Sequence, residues 1–187
     1  MATTEIRIAG FGGQGVVLAG MVIGNAATLH DGKFVTLTQS FGPEARGTTC
    51  SVQLLVSLEP ILYPYLTTPD ILVVMSRDAN EKYGKDLKPG GMVIYEQDLL
   101  EPARLNHGTR TYGIPATRFA EELGRKMVLN MVMVGFVTAI TGVASPEAVR
   151  KAVGSLVPRG TEPLNLAAFE KGHEYGKALL ANELAPA

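Results

Sequence analysis

The chain of 187 residues has one cysteine, three histidines, no tryptophan and little charge, with Asp, Glu, Lys and Arg making up 19% of it. A single thiol, Cys50, cannot close an internal disulfide, complete a four-cysteine zinc site or ligate an iron–sulfur cluster of its own. That excludes a disulfide scaffold and fits an unoxidised cytoplasmic setting. His30, His107 and His173 are scattered, with no pair at metal-ligand spacing on one helix face, so no metal site is expected. A net charge of −1 gives no dense basic face for nucleic acid. Long apolar runs are missing as well. The longest, at 127–140, is 14 residues and is interrupted by Asn130, Gly135 and Thr138, whereas a spanning helix needs roughly 20. Glu5 and Arg7 precede any apolar stretch, so no signal-peptide plan and no membrane association are expected. No G-x-S-x-G elbow, Walker A lysine or H-E-x-x-H motif occurs, and no catalytic residue is assigned.

What is present is apolar: 46% of the residues are hydrophobic. This balance excludes disorder. With charge below the roughly 25% of an average soluble domain, it also points to a surface partly buried against a partner. The length fits one domain, 1–187.

Residues 6–9 alternate as a short strand that runs into Gly10-Phe11-Gly12-Gly13-Gln14-Gly15. Residues 16–29 read as a helix, apolar nearly all round, with Gly20 and Gly24 on one face for close packing. A turn at Asp31-Gly32 and a strand at 34–38 follow. Strand, glycine loop, helix and strand in this order form a βαβ unit, which favours a parallel sheet. Further strands are expected at 49–58, 71–75, 92–95 and 110–112, and helices at 80–86, 117–123, 127–140, 146–153 and 164–180. Ser145-Pro146 reads as a helix start, with Ser145 as the cap and Pro146 in the first turn. The predicted fold is α/β and Rossmann-like, a mostly parallel twisted sheet flanked by helices.

Gly10, Gly12 and Gly15 satisfy G-x-G-x-x-G in the context it requires, after a strand and opening a helix. Glycines permit a tight turn there, and the N–H groups at the helix start favour an anion. A dinucleotide site also needs an acidic residue ending the second strand. Thr38, Gln39 and Ser40 stand there instead. The loop can equally well serve backbone packing alone. A second loop, Ser40-Phe41-Gly42-Pro43-Glu44-Ala45-Arg46-Gly47, is expected on the same sheet edge. Arg46 could fork onto a carboxylate or phosphate, and Glu44 could orient it or pair with a partner's cation. A solvated ion pair on a surface loop is the plainer alternative.

The two loops together, Gly10 to Val16 and Gln39 to Gly47, with Pro69-Asp70-Ile71-Leu72-Val73-Val74 and Lys88-Pro89-Gly90-Gly91, carry a resemblance along essentially the whole chain. It resembles the gamma subunits, or gamma domains, of 2-oxoacid:ferredoxin oxidoreductases, whose substrates include pyruvate, 2-oxoglutarate, 2-ketoisovalerate and indolepyruvate. The family often continues Arg-Gly-Gly-x-Ser, whereas here Arg46-Gly47 is followed by Thr48, a β-branched residue ill suited to positive φ. The resemblance implies a complex using thiamine diphosphate, Mg²⁺, iron–sulfur clusters and coenzyme A, which yields acyl-CoA and CO₂ and reduces ferredoxin. No Gly-Asp-Gly thiamine motif occurs here and one cysteine ligates no cluster, so that chemistry is expected on partner alpha and beta subunits, with or without a delta. The first guess at the substrate is 2-oxoglutarate. Gly12, Gly13, Gln14, Gly15 and Arg46 are the candidates to border coenzyme A or another anion, and Gly42, Glu44 and Arg46 the candidate interface residues. The competing readings are a free-standing nucleotide-binding Rossmann oxidoreductase and a bare adaptor whose glycine loop binds nothing.

Overall fold

A computed structural model describes residues 3–40, 49–100 and 108–183. Six strands form one sheet: β1 (Thr4–Phe11), β2 (Phe34–Ser40), β3 (Thr49–Ser57), β4 (Ile71–Val74), β5 (Met92–Glu96) and β6 (Arg110–Ile114). Their spatial order is β2-β3-β1-β4-β5-β6. The six α-helices are α1 (Val16–Asn25), α2 (Arg77–Tyr83), α3 (Ala116–Glu122), α4 (Leu129–Thr141), α5 (Pro146–Leu156) and α6 (Glu162–Glu183).

The α/β class and the mostly parallel sheet agree with the sequence reading. One relation differs. β1 pairs in parallel with β4, β4 with β5 and β5 with β6. β3, however, lies between β1 and β2 and is antiparallel to both. The expected β1–α1–β2 unit therefore joins two strands that run the same way without touching. Only a long-range pairing decides this, because β3 is reached from β2 by a short connection that reverses the chain.

Strand alternation sends Ile6 and Ile8 into the larger core with Val52, Leu54, Ile71, Val73 and Ile94. Helices α1, α3, α4, α5 and α6 cover this face. On the other face a smaller cluster joins Ala9, Leu72, Val74 and Val93 to Ala79 and Tyr83 of α2. Among the described residues the α-helices are thus divided five to one between the two faces.

The predicted helix at 16–29 divides into α1 and a π-helical turn over Ala26–His30. Gly20 and Gly24 act as expected, since a Cβ at Gly20 would stand 2.5 Å from Val52 Cγ1 and one at Gly24 3.2 Å from Leu54 Cδ2. Ser145 caps α5: its hydroxyl accepts from Ala148 N–H (3.2 Å), with Pro146 in the first turn. Of the three methionines in the 127–140 run, Met131 and Met133 are core and Met127 is 84% exposed, because the α-helix starts only at Leu129 after a 3₁₀ turn over Lys126–Val128.

Candidate functional site

The glycine loop leaves the carboxyl end of β1 and turns into α1. Gly13 (φ +102°) and Gly15 (φ +72°) are left-handed, a region that disfavours any residue with a Cβ. Gly15 stands at the cap position of α1 and supplies no capping side chain, so the first N–H groups of the helix have no side-chain acceptor at the cap. A Cβ at Gly13 would meet nothing within 4 Å, which places this corner of the loop on the open surface.

Gln14 has a different role from its neighbours. Phe11 N–H donates to Gln14 Oε1 (2.7 Å), Gln14 Nε2 donates to the Met75 carbonyl (2.9 Å), and Gln14 N–H closes the turn onto Phe11 O (3.1 Å). Both ends of the amide are engaged, so the side chain clamps the loop to the end of β4. Gly10 leaves the room this needs, because a Cβ there would lie 2.5 Å from Gln14 Oε1.

Two residues that the sequence reading did not assign to the site help to build it. Asn130, buried in the first turn of α4, donates Nδ2 to Gly15 O (3.3 Å) and accepts Met131 N–H on Oδ1 (3.0 Å). It so ties α4 to the start of α1. The signal was a lone amide inside an apolar run, and which backbone it would meet is a tertiary matter. Ser76, at the end of β4, accepts Ala79 N–H on its hydroxyl (3.3 Å) and starts α2 beside the loop.

The second loop leaves the same sheet edge. Phe11 pairs with Thr49 across β1–β3, and Ser40 with Ser51 across β2–β3, so the connection between β2 and β3 begins and ends beside the glycine loop. Gly42, Glu44 and Arg46, together with Thr48, lie outside the described residues. The interposed β3 also removes the geometric basis of a dinucleotide site. The tip of β2 stands two strand spacings from β1, about 10 Å, and Thr38 Oγ1 is within hydrogen-bond distance of Gln53 Oε1 (3.3 Å) on β3.

Cys50 is buried, and burial pushes its thiol above the ordinary range, as an inert core thiol would be. His173 is half-buried. Its ring stacks on Phe169 (centroids 5.7 Å apart), and partial burial lowers its pKa. Among the described residues no three His, Cys, Asp or Glu side chains gather as a metal site, and no helix is long and apolar enough to cross a membrane. At the opposite sheet edge, a cleft of about 410 Å³ is lined by Asp70, Lys88, Gly90 and Arg110. Its lysine is already neutralised by Asp70 Oδ1 (2.9 Å) and by Glu5.

Residues 5–175 match the family model of pyruvate ferredoxin/flavodoxin oxidoreductase. The chain is 46% identical over 177 residues to the 2-oxoglutarate synthase subunit KorC of Methanocaldococcus jannaschii, covering 94% of this chain and 95% of that one. A keto/oxoacid ferredoxin oxidoreductase gamma subunit from Geobacter sulfurreducens superposes with TM-score 0.81 at 37% identity, over 94% of this chain and 99% of that one. The 2-oxoglutarate:ferredoxin oxidoreductase of Magnetococcus marinus, with 2-oxoglutarate, coenzyme A and succinyl-CoA bound, superposes with TM-score 0.85 at 26% identity. That match covers 95% of this chain but 32% of the longer one. Near-complete coverage by sequence and by fold together leads to one conclusion: the chain belongs to the gamma-subunit family of the pyruvate ferredoxin/flavodoxin oxidoreductases.

Proposed function

We propose that the chain is the gamma subunit of a 2-oxoglutarate:ferredoxin oxidoreductase, a complex that converts the 2-oxoacid and coenzyme A to acyl-CoA and CO₂ with reduction of ferredoxin. The observation that carries this reading is the 46% identity over nearly the full length of a 2-oxoglutarate synthase subunit. The chain's chemistry is consistent with a supporting role. One buried cysteine and no clustered metal ligands among the described residues leave the thiamine diphosphate, Mg²⁺ and iron–sulfur clusters to alpha and beta subunits, with or without a delta, in the cytoplasm. Coenzyme A is an anion with a long flexible arm. The residues on this chain suited to its phosphates are Gly12, Gly13 and Gly15 at the start of α1, where backbone N–H groups and the helix dipole favour negative charge. Gln14 would act there by holding the loop in shape.

Co-purifying the chain with its companion subunits and following ferredoxin reduction tests the reading. Turnover should require 2-oxoglutarate and coenzyme A and should exceed that with pyruvate or 2-ketoisovalerate. A chain active alone with a nicotinamide or flavin would overturn it. Arg46→Ala is expected to impair turnover or assembly, and wild-type behaviour in both assays would remove Arg46 from the site.

A further inference from the structure

The two faces of the sheet are covered unequally. Five helices bury one of them. On the other, α2 packs over β1, β4 and β5, and among the described residues the β2–β3 side is crossed by the segment 58–70 that links β3 to β4. This segment is pinned at several points. Thr36 Oγ1 donates to Pro64 O (3.3 Å), and the Glu5 carboxylate accepts Thr67 N–H (3.0 Å) and Thr68 N–H (3.2 Å). Asp70 N–H donates to Glu5 O (2.8 Å), Glu5 N–H donates to Asp70 Oδ2 (2.7 Å), and Leu66 is buried beneath. Pro60 and Pro64 fix two further φ angles.

A backbone held this firmly presents its large side chains outward. Leu62 is 95% exposed, Tyr63 62% and Tyr65 59%, and the two tyrosine rings meet edge to face with centroids 5.6 Å apart. Phe34, 46% exposed at the head of β2, lies on the same sheet face as Thr36 by alternation. Single exposed apolar residues are ordinary. Three large exposed side chains on one pinned segment, two of them tyrosines in ring contact, have the composition of an interface anchor.

We infer that this face, centred on Leu62, Tyr63 and Tyr65, seats a companion subunit of the oxidoreductase, whose matching surface is apolar and offers acceptors to the two tyrosine hydroxyls. The inference rests on the subunit reading given above. A companion is favoured over a second copy because in the Magnetococcus marinus protein this fold is about a third of a longer polypeptide. There the rest of the polypeptide is joined to it covalently. A subunit of this extent, such as the Methanocaldococcus jannaschii relative of which the match spans 95%, holds its neighbours through contact surface, and an apolar aromatic patch supplies the affinity that the peptide link supplies in the longer chain.

The test uses the full chain co-expressed with its companion subunits. A photo-cross-linker in place of Tyr63 should join the chain to a companion polypeptide. The double variant Leu62→Asp, Tyr65→Ser should weaken assembly by about 100-fold with an unchanged circular dichroism spectrum. Met127→Asp, at an exposed position outside the patch, should stay within about threefold of wild type. A cross-link to a second copy, no cross-link within an assembled complex, or wild-type assembly by the folded double variant would each overturn the assignment. Those outcomes leave the functional reading standing. Failure of the unaltered chain to bind any companion would remove that reading and this surface with it.

Discussion

Gln14 shows how one side chain can set the shape of a glycine loop. Its amide accepts from Phe11 N–H and donates to the Met75 carbonyl. Gln14→Ala leaves both groups without their partner, and each buried polar group so left costs about 1–3 kcal/mol. Both bonds are part-buried, so water meets some of that cost, and denaturant unfolding should show a loss of about 1–3 kcal/mol in total; no loss would mean that water replaces the amide freely. Glu96 offers a test by pH. It is fully buried at the end of β5, where its carboxylate accepts Asp98 N–H (3.1 Å) and Thr117 Oγ1–H (2.9 Å), and burial raises its pKa above the ordinary value. A raised folded-state pKa means that the native state holds the proton more tightly than the unfolded chain does. The stability this confers is therefore full below the unfolded pKa, about 4.3, and is lost as pH rises through the folded value. Glu96→Gln should lose less stability than wild type between about pH 4.3 and neutrality, measured by urea midpoints across that range. Parallel pH profiles would contradict the assignment. None of this could be read from the sequence, because Gln14 looks like a ligand-facing polar residue until the Met75 carbonyl is placed beside it.

At the scale of elements, α4 and α6 pack closely in the core. A Cβ on Gly135 would overlap the Phe169 carbonyl, and one on Gly172 the Val132 carbonyl, so the two helices touch backbone to backbone. Neither carbonyl can swing aside as a flexible side chain could. Gly135→Ala should therefore cost about 3 kcal/mol or more, read as a fall in Tm, while Gly154→Ala, where a Cβ meets nothing within 4 Å, should be tolerated. The helix start at Ser145-Pro146 was legible because a cap is local: the serine, the proline and the receiving N–H lie within four residues. The tie beyond it was not. Ser145 also donates to Asp31 Oδ1 (2.7 Å), and its backbone N–H donates to Asp31 Oδ2 (2.6 Å), a contact 114 positions away in the chain. The placement of β3 between β1 and β2 is of the same kind, since a strand's apolar pattern tells which face is buried but not which neighbour it pairs with.

For the molecule as a whole, the low charge and the exposed apolar side chains of the segment 58–70 have one physical consequence. If companion subunits cover this surface, they bind the folded chain and not the unfolded one, and its Tm should rise with their concentration. A Tm independent of them at saturating concentration would show that no such linkage exists. The sequence by itself determined the class of fold and the family, because alternation, glycine spacing and the paired loops are written in residues close together along the chain. It also showed that its one cysteine cannot by itself ligate an iron–sulfur cluster, whatever the fold. The tertiary structure alone decided that β3 separates β1 from β2, that Gln14 and Asn130 brace the glycine loop, and that, among the described residues, five helices lie on one face and one on the other. Those facts depend on which distant groups meet, and contact between distant groups is fixed only when the whole chain has packed.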